Sequence, residues 1–407
     1  VLSGAEPEIR ATEREILREV IELMKVDTRA AAAMLEGQVT ADSSASVDFI
    51  LANLQFQNGA LDAAMKRYEA ALAKFPDFRR AHKNLGLLEV QKGDYAAAIV
   101  NLSRAIELGD RDGRSYGLLG YCYIHAEKYV AAEQAYRSAI LQQPDTRDWK
   151  LGLARSLLAM QRHKEAAALF GELLAANPED TAAWMLQANA FLGQDDPMAA
   201  AVNLEAVRMM GKADTRSLVL LGDIYMNAEM HDLARSAYLE VVERDKSRTQ
   251  FRAASRAAGL LLRTRAYEDA GKILAAIGRT YQGKLSADEE LELLTLQARL
   301  ARARGESAEA AKMLEAIVAR DGTRGDALLE LASYQRSAGA PERALLLIER
   351  AERIEAFRYP ALLEHAQLLV DEKDYGKAAD VLRKALQIKS EPRVEQFLAR
   401  VERAVRR

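Results

Sequence analysis

With 407 residues, 8 prolines, 1 cysteine and 49% hydrophobic residues, the chain is rich in helix formers, can bury a core, and cannot close an intrachain disulfide. Its 57 Lys and Arg against 60 Asp and Glu leave a formal net charge of −3, which argues against the basic surface that bulk nucleic-acid binding needs. No apolar run approaches the ~18 residues of a membrane-spanning helix, so no direct membrane insertion is expected.

The chain opens on VLSGAEPE without Met. VLSGA reads either as the remnant of an export signal's cleavage region or as a cloning scar. Residues 1–44 then hold a degenerate helix pair, TEREILREVIELM and RAAAAMLEG, and the polar linker ADSSASVD begins at Ala41 with helix N-cap candidates. A single cysteine suits a cytoplasmic chain and equally a large periplasmic one.

From Ala45 a period of 34 residues sets in. Counting Ala45 as position 1, six repeats in register fill 45–248, a seventh with insertions fills 249–290, and three more fill 291–392. The loop expected before the eighth repeat is GRTYQGKLSADE, 278–289. Position 20 is alanine in all ten repeats, from Ala64 to Ala378, and position 8 is always Gly or Ala. Position 24 is always large, from Tyr68 to Leu382, and position 17 is often aromatic, as at Tyr95, Tyr129, Tyr267 and Tyr375. Each repeat therefore holds two amphipathic helices joined by a short turn, packed antiparallel where positions 8 and 20 are small. Neighbouring repeats bury one another's faces. Prolines agree: Pro76, Pro144 and Pro178 fall between repeats, and Pro197 and Pro341 in the first turn of a second helix. Residues 393–407 read as a closing helix, with Arg403, Arg406 and Arg407 in its last turns, where cations suit the helix dipole.

Small at 8, Ala at 20, large at 24 and Pro at 32 resembles the tetratricopeptide repeat family over about 45–392. The resemblance implies an all-α, right-handed superhelical solenoid of antiparallel helix pairs, about ten repeats plus capping helices. It also implies a non-catalytic scaffold whose first helices line a concave groove through positions 2, 5, 6, 9, 12 and 13. Those positions select Asn53, Arg80, Lys83, Asn84, Leu87, Arg114, Leu118, Tyr121, His125, Leu151, Arg155, Leu158, Met185, Asn189, Val219, Asp223 and Met226 as contacts for a partner peptide or protein. Several of the apolar members are equally placed to pack between repeats. A second, charged groove segment comprises Arg252, Arg256, Arg263, Arg299, Arg302 and Arg336, suited to an acidic stretch of the partner. Asn53, Asn84 and Arg114 resemble three slots of a carboxylate-binding pattern, but Phe49 and Leu118 occupy its other two, so a peptide-backbone contact is the expectation.

No phosphate loop, His-Glu-x-x-His or Cys-x-x-Cys is present. Cys122 takes a core slot, and His163 and His231 take the position-17 aromatic slot; no cofactor, metal or catalytic residue is expected. RAHKNLGLLEV, YGLLGYCYI, RDWKLGLA and LLGDIYMN further resemble bacterial repeat proteins that accompany TonB–ExbB-type energy-coupling systems. That resemblance implies export to the periplasm and an inner-membrane complex component as partner. The alternative is an envelope assembly or polysaccharide-associated scaffold, which predicts aromatic stacking faces along the groove.

Overall fold

A computed structural model describes residues 6–405. Val1–Ala5, which include the export-signal reading, and Arg406 and Arg407 of the basic end lie outside the described residues. Among the described residues every regular element is helical, 23 α-helices and two 3-10 turns. They fall into two compact units, one ending at Met210 and the other beginning at Gly211.

The first unit opens with α1 (Arg14–Met24) and α2 (Thr28–Glu36), which bury Leu17, Val20 and Leu35 against α3 (Ala45–Gln57). The expected linker is shorter than its sequence suggested, because Ala45–Asp48 already form the first turn of α3. Hairpins follow: α3 with α4 (Leu61–Lys74), α5 (Arg79–Lys92) with α6 (Tyr95–Glu107), α7 (Gly113–His125) with α8 (Tyr129–Gln142), α9 (Arg147–Ala159) with α10 (His163–Ala176), and α11 (Thr181–Leu192) with α12 (Pro197–Met209). The second unit pairs α13 (Thr215–Asn227) with α14 (His231–Arg244), α15 (Phe251–Arg263) with α16 (Tyr267–Thr280) and α17 (Ala287–Ala303) with α18 (Ser307–Arg320). It continues through α19 (Gly325–Ser337) with α20 (Pro341–Glu352), and α21 (Arg358–Asp371) with α22 (Tyr375–Ile388), and closes on α23 (Pro392–Val405). Val394 and Val401 of α23 cover the last hairpin at Leu382 and Ala385.

The small–large code has a direct physical basis. All ten position-8, position-20 and position-24 residues are buried. Where position 8 is glycine, the position-24 side chain of the same hairpin fills the missing volume. A Cβ on Gly86 would stand 2.8 Å from Leu102, one on Gly120 2.9 Å from Tyr136, and one on Gly222 2.7 Å from Tyr238. Close approach of the two backbones is thus what the repeat preserves.

A second rule lies in the turn. Position 15 is left-handed in all ten repeats, at Gly59, Gly93, Gly305 and Gly339 but also at Glu127, Gln161, Asp195, Glu229, Arg265 and Lys373. The next N–H always reaches back five residues, as Arg162 N to Leu157 O at 2.9 Å and Lys128 N to Tyr123 O at 2.8 Å, closing the first helix with a Schellman cap. Every second helix then begins at position 17. Non-glycine residues pay a steric penalty here. Gln161→Gly is therefore expected to raise stability by about 1 kcal/mol, read as a higher urea midpoint, whereas Gly93→Ala should lower it.

The insertions are absorbed by named contacts. Buried Asp245 accepts Gln250 N (2.6 Å), Ser247 Oγ (2.9 Å), Thr249 Oγ1 (3.0 Å) and the hydroxyl of fully buried Tyr281 (3.0 Å). Burial alone would raise its pKa; these bonds outweigh it and hold the carboxyl below its usual range. The longer loop before the eighth repeat is only 281–286. Gly278–Thr280 finish α16, and Ser286 caps α17 in a capping box with Glu289.

Candidate functional site

In the first unit, five of the sequence-selected groove residues converge. Leu118, Tyr121 and His125 of α7 and Leu151 and Arg155 of α9 line one cavity of about 510 Å³. Val90, Ile124, Tyr136, Asp148, Trp149 and Gly152 complete it. At its edge the His125 ring stacks on Tyr95, with centroids 4.2 Å apart and 13° between planes, and Tyr121 meets both rings edge-on. Tyr121 and His125 are exposed, and Arg155 forms no ion pair among the described residues. Arg114, on the first turn of α7, and Asn189 of α11 are also exposed, whereas Leu87, Leu158, Met185 and Val219 are half-buried.

Other selected residues are engaged within the chain. Tyr68 donates to Asn53 Oδ1 (2.6 Å), and Asn84 Nδ2 donates to the same oxygen (2.8 Å), so the two asparagines hold a buried phenol before any peptide backbone. Lys83 Nζ pairs with Asp112 (2.7 Å), and Arg80 pairs with Glu6 (2.8 Å) while lying over the Phe49 ring. In the second unit Asp223 accepts from Tyr238 and pairs with Arg256 (3.1 Å). Met226, expected as a partner contact, is instead 5% exposed and belongs to the buried face of α13 with Leu218, Leu221 and Tyr225. Position 12 lies in the last turn of the first helix, where the groove face gives way to the core.

Four of the six arginines of the charged segment also share a cavity. Arg256, Arg263, Arg299 and Arg302 line about 550 Å³ in the second unit, with Tyr267 and Leu296. Its acid is Glu330, which accepts Arg299 Nε at 2.6 Å and stands 4.0 Å from Arg302. Arg263 forms no ion pair among the described residues. Arg252 is exposed outside this cavity, and Arg336 is tied to Asp371 and to Glu364 (3.8 Å).

Sequence reasoning missed Tyr95, Trp149 and Tyr267. Tyr95 and Tyr267 hold position 17, the often aromatic slot, and Trp149 holds position 3, both outside the six groove positions. Cys122 is fully buried, and burial, with Glu89 nearby, pushes its thiol up to about 12, which suits a core residue. His82 is held within the chain, its ring nitrogens bonding Asn101 Oδ1 and Pro76 O, both at 2.8 Å. Among the described residues no group of three or more His, Cys, Asp or Glu is placed to hold a metal ion, and no helix is long and apolar enough to cross a membrane.

Descriptions of the tetratricopeptide repeat match residues 89–151 and 125–190, 50–102 and 295–359, and 215–248 and 359–392, together more than half the chain. The chain is 28% identical over 310 residues to cellulose synthase operon protein C of Xanthomonas axonopodis pv. citri, covering 72% of this chain and 20% of that protein. It is 28% identical over 114 residues to superkiller protein 3 of Schizosaccharomyces pombe, covering 28% of this chain and 8% of that protein. The chain thus spans a fifth or less of the length of these relatives. Among solved structures it is similar to MamA (20% identity, TM-score 0.39, 41% of this chain and 92% of that one) and to YrrB, a repeat protein with an unusual peptide-binding site (19%, 0.39, 40% and 86%). With its repeat descriptions matched in both units and its hairpins built on the same small–large code, the chain belongs to the tetratricopeptide repeat family.

Proposed function

We propose that the chain is a non-catalytic scaffold that holds a partner polypeptide along its first helices. The observation that carries this reading is the convergence of Leu118, Tyr121, His125, Leu151 and Arg155 on one cavity whose walls are apolar and whose rim is charged. In the second unit, the Arg256, Arg263, Arg299 and Arg302 cavity suits a more acidic stretch of the same partner, since guanidinium forks pair carboxylates. Reversing Arg114 and Arg155 to glutamate is expected to reduce partner capture about tenfold, roughly 1.4 kcal/mol, without lowering the melting temperature. Crosslinking and mass spectrometry give the first number and a thermal melt the second. Loss of both together would make the two arginines structural.

A second reading, an envelope scaffold associated with polysaccharide assembly, is favoured by the similarity to cellulose synthase operon protein C over 72% of the chain. Titration with cello-oligosaccharides separates it from the first, which expects no saturable binding. For placement we propose the periplasm, with an inner-membrane component of a TonB–ExbB-type energy-coupling complex as partner, on the strength of the four short stretches named above. A native precursor whose upstream sequence holds no export signal would reject the placement.

A further inference from the structure

The three tyrosines at position 24 differ in how their hydroxyls are satisfied. Tyr68 donates to Asn53, at position 9 of its own repeat, and Asn84, at position 6 of the next, donates to it at 3.3 Å. Tyr238 donates to Asp223, again position 9, and Arg256, again position 6 of the next repeat, closes on that carboxylate at 3.1 Å. In the third repeat both slots have changed. Position 9 is Tyr121, turned edge-on to Tyr95 and His125, and position 6 of the next repeat is Gly152. A Cβ on Gly152 would stand 2.2 Å from Cζ and 2.6 Å from the hydroxyl oxygen of Tyr136, so only glycine fits beneath this ring. Tyr136 is 3% exposed, lines the 510 Å³ cavity, and has no hydrogen-bond partner for its hydroxyl among the described residues. With no partner from the chain, the hydroxyl of this otherwise buried ring is reached from the cavity, and the group that pairs it comes from outside the chain.

We propose that this cavity is a binding site for one aromatic side chain of the partner polypeptide, its ring enclosed by Leu118, Leu151 and Trp149 and its polar tip hydrogen-bonded to the Tyr136 hydroxyl. The inference rests on the reading of the chain as a polypeptide scaffold and adds the class of side chain it takes. The state of the ring faces favours an inserted side chain over a sugar. Tyr95 and His125 already stack on each other, and Trp149 lies so close over Gly117 that a Cβ there would stand 2.3 Å from its ring carbons. One face of each of these rings is already covered, whereas an apolar-walled volume with a phenol at its base is open.

The test uses p-cresol and toluene as probes of the full chain, with affinities from ligand-observed NMR titration. Both are expected to bind, and the cresol-to-toluene affinity ratio is expected to fall about fivefold in Tyr136→Phe, as loss of one hydrogen bond requires. Tyr121→Asn, which restores the acceptor present at Asn53, is expected to weaken p-cresol binding similarly with an unchanged or higher melting temperature. An unchanged ratio in Tyr136→Phe, or no binding of either probe, overturns the proposal, and cellobiose binding in place of both overturns it in favour of a sugar site. Partner capture that persists in those cases shows that the scaffold reading has outlived this one.

Discussion

Tyr238→Ala is expected to destabilise the second unit by about 3–5 kcal/mol, the loss that follows when a large buried aromatic side chain is truncated. The ring is fully buried against Gly222, and its hydroxyl donates to Asp223, the carboxylate that also accepts Arg256 of the next hairpin. Alanine removes the volume and leaves Asp223 with one partner fewer. Tyr238→Phe keeps the volume and should cost only about 1 kcal/mol. In a repeat array each hairpin is held by its neighbours, so the loss should show first as faster hydrogen exchange in α13, α14 and α15 and only then as a lower urea midpoint. Equal losses in the two variants would mean that the hydroxyl rather than the ring holds this hairpin together.

Glu89 supplies the second large effect. It is 5% exposed on α5; Asn101 Nδ2 donates to both its oxygens at 2.8 and 2.9 Å, and the Asn101 oxygen meets His82. Burial is the main reason its carboxyl is pushed up to about 7; Asp94 and Glu69 push the same way and Asn101 opposes. Below its ordinary value of 4.5 the group is neutral folded and unfolded. Between there and about 7 the unfolded chain ionises while the folded chain keeps its proton, so stability falls as pH rises and levels off above about 7. Two and a half pH units correspond to roughly 3 kcal/mol. Glu89→Gln should remove that slope: the variant is expected to match the parent near pH 4.5 and exceed it near pH 8 in urea titrations. An identical pH profile for parent and variant would contradict the assignment.

The fold was legible because it depends on a periodic steric rule. Ten alanines at position 20 and ten small residues at position 8 report one backbone approach, repeated, and the structure buries every one of them. The left-handed turn was hidden for the opposite reason. Six of its ten residues, from Glu127 to Lys373, are not glycine, so the identity of the side chain does not betray the conformation. Groove membership was harder to read, since position 12 carries half-buried Leu158 in one repeat and core Met226 in another. Asn53, Lys83 and Asp223 looked available because their partners lie 15–33 residues away, at Tyr68, Asp112, Tyr238 and Arg256. The cavity over Tyr136 is the extreme case, defined by two partners that other repeats supply and this one omits.

On the proposed reading the groove of the first unit grips a polypeptide. A photo-crosslinking residue in place of Arg155, at the cavity rim, tests it against the same residue in place of Val130, 63% exposed on α8 and outside the cavity. Irradiated in native lysate, the Arg155 position is expected to trap one protein, saturably, in a product that excess unlabelled chain suppresses, and the Val130 position to trap none of it. The same adducts from both positions, or none at Arg155 alongside saturable cello-oligosaccharide binding, would contradict the claim.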